Sequence, residues 1–184
     1  MIFSSKYPEI KLSIKDGTHD TISACNINDV TDIMIGDQRK TLSDIFNNVY
    51  LGDLYYSIKI SSSSNLSTKN NITISELKGY SCIVIASREE MPKEIEFMKT
   101  TLEFNGEFLC AQTLTEAELM VSAGIGFLPV ASKVKEKTDD GSITSLPFIK
   151  NEEILKSKLY AFYKKSFDES IYEKLTSIIK EVIK

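Results

Sequence analysis

A chain of 184 residues, 42% hydrophobic and 26% charged, can bury a sizeable core as one large domain or two small lobes. Its net charge of −4 advertises no basic face for nucleic acid, and no apolar window approaches the length of a membrane span. One histidine, and three cysteines without CxxC spacing, leave no metal-ligand pattern and point to a reducing, cytoplasmic setting.

In chain order, Met1 to Tyr7 reads as a short lead-in that Tyr7-Pro8 stops. Ile10, Leu12 and Ile14 alternate with Lys11, Ser13 and Lys15, which predicts a strand with one buried face. Asp16-Gly17-Thr18 turns the chain, and Thr18 can cap a helix over His19 to Asp29. Ile33-Met34-Ile35 reads as a second strand ending at Gly36-Asp37-Gln38, with a brief helix expected over Leu42 to Phe46. Tyr55 to Ile60, aromatic and β-branched, gives a third strand. The serine- and asparagine-rich run from Ser61 to Asn71 is the one strong composition shift, read as an exposed loop or an interlobe connection.

Cys82 to Ala86 is a continuous apolar run suited to a central parallel strand. Helical spacing follows over Glu89 to Phe104, with Pro92 in the first turn. Phe108 to Ala111 is another short strand, and Thr113 with Glu116 forms a capping pattern that starts the next helix. Gly124 is placed to end that helix, and Phe127 to Val130 begins a further strand. A charged loop from Lys133 to Gly141, strands at Ile143 to Phe148 and Leu159 to Tyr163, and a terminal amphipathic helix complete the chain. Alternating strands and helices define an α/β chain with a mixed, mostly parallel sheet or sheets.

The residues give an enzyme little to stand on. His19 and Cys25 fall on one predicted helix, not across a cleft. Glu89-Glu90 and Asp139-Asp140 are adjacent pairs whose side chains diverge, and Gly124-Ile-Gly126 follows a helix where a phosphate loop would precede one. The better candidates are the polar ends of strands: Asp16-Gly17-Thr18, Gly36-Asp37-Gln38, Ser87-Arg88 and Gln112-Thr113. Hydroxyls, amides and backbone N–H groups gathered there suit a small polar or anionic ligand, and each is equally readable as an ordinary helix cap.

YPEIKLSI with GTHD, DIMIGDQRK with LSD, ELKGYSCIVIAS, FLCAQTLTEAELMVSAGIGFLPV and LYAFYKK occur in this order. In that order and spacing, from Tyr7 to the end, the chain resembles the effector-binding domain of LysR-type transcriptional regulators. The resemblance implies a two-lobed, type 2 periplasmic-binding-protein-like fold with helices flanking each lobe's sheet. Lobe one would hold residues 1–63 and 150–184 and lobe two residues 64–149, with the serine-rich run and the Leu159 to Tyr163 strand as crossovers. It implies no catalysis and no cofactor or metal. A polar or anionic metabolite would bind between the lobes, at Thr18, Asp37, Gln38, Ser87, Gln112 and Thr113. A complete relative would be a cytoplasmic dimer or tetramer that reaches DNA through a helix-turn-helix. Neither that head nor the first strand of lobe one is expected in this sequence. The alternative expectation is a free-standing solute-binding or hetero-oligomerising module.

Overall fold

The structure, a computed structural model, describes residues 2–15, 17, 31–39, 41–165 and 169–183. The chain forms two compact units, one of residues 1–53 with 158–184 and one of residues 54–157. The chain passes between them twice, inside β2 (Phe46–Ser61) and inside β10 (Lys156–Lys164). The serine-rich run lies wholly within the second unit, as a turn and a 3-10 helix at Asn65–Thr68.

In the first unit, α1 (Ile2–Lys6) packs on α4 (Glu169–Val182). Phe3 is buried there, and the Lys174 ammonium lies over the Tyr7 ring. Helix α4 turns Ile178 and Thr176 inward and leaves Val182 exposed, as its amphipathic spacing predicts. Strand β1 (Met34–Asp37) pairs antiparallel with β10, Met34 opposite Phe162 and Asp37 opposite Leu159. Tyr163 stacks on Tyr172 of α4 at 4.9 Å.

Two expectations fail in this unit. Ile10 to Ile14 forms no strand, and Ile14 is 91% exposed. Alternation needs a partner strand and a core to lie against, and this stretch has neither among the described residues. The helix expected over Leu42 to Phe46 is instead a turn, closed by the Phe46 N–H donating to the Ser43 carbonyl and followed at once by β2. Phe46, Val49, Tyr50 and Leu51 are strand-favouring residues, and that preference outweighs the short apolar spacing. The helix expected over His19 to Asp29 lies outside the described residues.

The second unit is a sheet with a helix on each face. Its strand order is β5 (Phe108–Ala111), β4 (Cys82–Ile85), β6 (Leu128–Ser132), β2, β8 (Ile143–Lys150) and β3 (Ile72–Thr73). The small strands β7 (Thr138–Asp139) and β9 (Glu153–Ile154) pair with β8. Strand β4 joins β6 through Cys82 beside Phe127, where the Ile83 N–H donates to the Phe127 carbonyl at 2.8 Å. Since β4–β5, β4–β6 and β3–β8 are parallel and β2 is antiparallel to both β6 and β8, β3, β4, β5, β6 and β8 all run one way. The parallel character expected from the sequence is thus concentrated in this unit, with β2 running against it.

Period-two alternation in β4 sends Cys82 and Val84 to one face and Ile83 to the other. The first face packs with Met98 and Leu102 of α2 (Met91–Leu102), together with Phe104, Phe127, Leu146 and Phe148. The opposite face packs with Ala117 and Val121 of α3 (Leu114–Ser122), Leu128 and Ile143. Pro92 sits in the first turn of α2, where its missing N–H costs nothing. Phe127 is fully buried, with the edge of one ring meeting the other's face against Phe104 at 5.1 Å. A side chain of this size contributes about 1.5–3 kcal/mol by leaving water.

Candidate functional site

In the second unit, the carboxyl ends of parallel strands form one polar edge. Ile85 pairs with Ala111, and the Ala86 N–H donates to the Ala111 carbonyl at 3.0 Å. Ser87 and Gln112, the residues that leave these strands, are therefore neighbours on that edge. Thr113 follows as the N-cap of α3, its hydroxyl oxygen accepting the Glu116 N–H at 3.1 Å. All three residues are exposed. Structure thus brings together three of the six residues singled out from sequence.

Both strand-end amides are already engaged. The Gln112 N–H donates to Glu116 Oε2 at 2.7 Å. The Ser87 N–H donates to Glu90 Oε2 at 3.1 Å, while the Glu90 N–H returns a bond to Ser87 Oγ at 3.3 Å. Each helix start thus carries its own carboxylate where the free N–H groups and the positive dipole end would otherwise receive an anion. The Ser87-x-x-Glu90 spacing is the same capping pattern recognised at Thr113, and it was legible in the sequence by that rule. What remains on this edge for a ligand is side-chain chemistry: the hydroxyl hydrogens of Ser87 and Thr113 and the Gln112 carboxamide. That carboxamide has no hydrogen-bond partner among the described residues.

A second set of groups went unnoticed in the sequence because it comes from strands far apart in the chain. Tyr55, Ser57, Lys59 and Ser61 alternate onto one face of β2. Tyr55 lies opposite Ser132, the last residue of β6, so it stands at the same edge as the strand ends above. Ser57 and Ser145 share a hydroxyl–hydroxyl hydrogen bond at 3.1 Å. The Lys59 ammonium pairs with Glu118 of α3. The Tyr55 ring is flanked by the ammonium groups of Lys135 and Lys156.

In the first unit, Asp37 closes β1 and accepts a 3.1 Å hydrogen bond from Arg39 Nε. The Gln38 N–H donates to the Lys158 carbonyl at 2.8 Å. Gln38 and Arg39, with Thr41 and Leu42, line a shallow open depression. Thr18 lies outside the described residues, as do His19 and Cys25.

The remaining reactive groups have structural roles. Burial pushes the Cys82 thiol up to about 12. The half-buried Cys110 thiol donates to the Ala86 carbonyl at 3.1 Å. Asp139 and Asp140 shape the turn before β8; the Ile143 N–H, donating to Asp140 Oδ1 at 2.8 Å, is the main cause that holds the Asp140 carboxyl below the usual range. Among the described residues no group of three or more metal-ligating side chains occurs, and no helix is long and apolar enough to cross a membrane.

No family model matches the sequence, and no curated protein matches it. Solved structures do. The regulatory domain of MetR, a LysR family regulator from N. meningitidis, superposes with a TM-score of 0.70 at 17% identity, over 98% of this chain and 83% of that one. The reduced OxyR regulatory domain from Pseudomonas aeruginosa gives 0.75 at 14% identity, over 97% and 86%. The CcmR regulatory domain from Synechocystis PCC6803, solved in complex with 2-PG, gives 0.75 at 19% identity, over 100% and 88%. The fold is that of the two-lobed regulatory domains of LysR-type regulators.

Proposed function

We propose that this chain is an effector-sensing regulatory domain of a LysR-type transcriptional regulator, acting in the cytoplasm and without catalysis. The observation that carries the reading is the correspondence of nearly the whole chain to regulatory domains of that class, such as those of MetR, OxyR and CcmR. The effector is a small polar or anionic metabolite. CcmR offers a precedent, since its regulatory domain was solved with a small molecule bound. Ser87, Gln112 and Thr113 contact the effector in this reading, supported by their exposure and shared edge. Self-association into a dimer or tetramer, and transmission of the bound state to a DNA-reading head, belong to the same reading.

A thermal-shift screen of the full chain against a metabolite library tests it. At least one polar or anionic compound raises the melting temperature, by the equivalent of about 2.7 kcal/mol when present at a hundred times its Kd. Gln112→Ala and Thr113→Ala weaken that response while the apo protein still melts cooperatively. The cap loss in Thr113→Ala itself costs about 1 kcal/mol, so its ligand shift is read relative to its own apo melting point. A library that shifts nothing in a protein shown to be folded overturns the reading.

A further inference from the structure

We propose that Tyr55, Lys135 and Lys156 form an anion site on the strand-end edge of the second unit, for the carboxylate or phosphate group of a small molecule. The Lys135 ammonium lies 4.6 Å from the centre of the Tyr55 ring and the Lys156 ammonium 5.8 Å from it. The two cations are therefore at most about 10 Å apart, roughly one screening length at 0.1 M salt. Each gains from the negative face of the Tyr55 aromatic ring.

Lys59 is paired with Glu118, Lys69 with Glu76 and Lys150 with Glu103, whereas Lys135 and Lys156 have no carboxylate partner among the described residues. The Tyr55 hydroxyl likewise makes no hydrogen bond among them. Tyr55 is half-buried in β2, so the ring is a fixed platform, while both lysines are exposed and can close on a guest. An anion on this edge would take charge-assisted hydrogen bonds from the exposed ammoniums, which can swing toward it, and the phenol offers a further donor. The nearby helix starts compete poorly for the same anion, because Glu90 and Glu116 already fill them.

The inference rests on the effector-sensing reading only for its biological meaning, and its test is separate. The full chain, carrying 13C in its lysine and tyrosine side chains, is titrated with inorganic phosphate and with chloride at matched ionic strength. Signals are assigned through Tyr55→Phe, Lys135→Gln and Lys156→Gln. Phosphate is expected to shift the Tyr55, Lys135 and Lys156 signals saturably, and the double lysine variant to bind about tenfold more weakly or less. Lys135→Arg restores the response. Shifts that do not saturate, that chloride reproduces, or that Lys133 shows equally would mean general screening and overturn the site. Saturation by phosphate alongside an empty metabolite screen would leave this site standing and sink the effector reading. A neutral effector found in the screen, with no saturable phosphate response, would do the reverse.

Discussion

Gly126 shows how one missing side chain fixes the join between β4 and β6. A Cβ there would sit 2.4 Å from the Ser81 carbonyl oxygen and 3.2 Å from Ile83. The obstructing atom is backbone, and Ser81 is itself pinned because its carbonyl accepts the Phe127 N–H at 2.9 Å. Gly126→Ala should therefore cost about 1–3 kcal/mol, as overpacking does, and lower the urea midpoint without changing the slope. An unchanged midpoint would show that the two strands separate more easily than this packing implies. The glycine itself was visible in the sequence, but only as part of a turn after a helix. Gly124, at φ +74°, fulfils that turn role, whereas the role of Gly126 depends on Ser81, 45 positions upstream, which no local pattern connects to it.

Among the elements, the 3-10 turn at Ile74–Leu77 is closed by a carboxylate with a readable pH signature. Glu76 takes the Lys69 ammonium at 2.7 Å and the Thr73 N–H at 2.8 Å. The Lys69 contact first and the Thr73 amide second hold its carboxyl below the ordinary value of 4.5, against a smaller opposing effect of burial. A carboxyl whose value is lower folded than unfolded stabilises fully above the unfolded value, and that contribution is lost as pH falls through the folded one. Chemical denaturation from neutral pH down through the region below 4.5 should show wild type losing more stability than Glu76→Gln. Parallel curves would mean that the group is not coupled to folding.

Element by element, legibility followed locality. Helix α3, its Thr113 cap, β4, β5 and the Pro92 turn needed only spacing within one window, and each stands where the sequence put it. Strand β2 is far longer than Tyr55 to Ile60, because Asn47, Asn48, Gly52 and Asp53 interrupt a pattern that pairing with other strands overrides. The polar strand ends were legible as positions. Their occupation by Glu90 and Glu116 was half-legible, since the Glu116 carboxylate reaches Gln112, one residue earlier than the capping rule anticipates. Tyr55 with Lys135 and Lys156 was not legible at all, being assembled from three separate segments.

At the scale of the molecule, the two units are unequal in kind. Both large apolar clusters, on either face of the second unit's sheet, are built from residues between Tyr56 and Phe148. The second unit is also one continuous stretch of chain, residues 54–157, whereas the first is assembled from two. A stretch with its own core on both sheet faces meets the condition for folding alone. Residues 54–157, produced by themselves, should melt in a single cooperative transition and keep dispersed amide signals. A broad, non-cooperative melt would show that the flanking segments complete the fold.

The carboxylates at the two helix starts carry a consequence for selectivity. A ligand that seeks the Ser87 or Gln112 amide must first evict a charged acceptor, and a hydrogen bond of that kind is worth about 1.5–3 kcal/mol. That is a handicap of roughly ten- to a hundredfold in affinity, imposed before any contact with the newcomer is made. Neutral hydroxyl and amide groups, which can sit beside the glutamates, escape it. The protein's own side chains thus act as a resident competitor, setting a threshold that weak anions fail to cross.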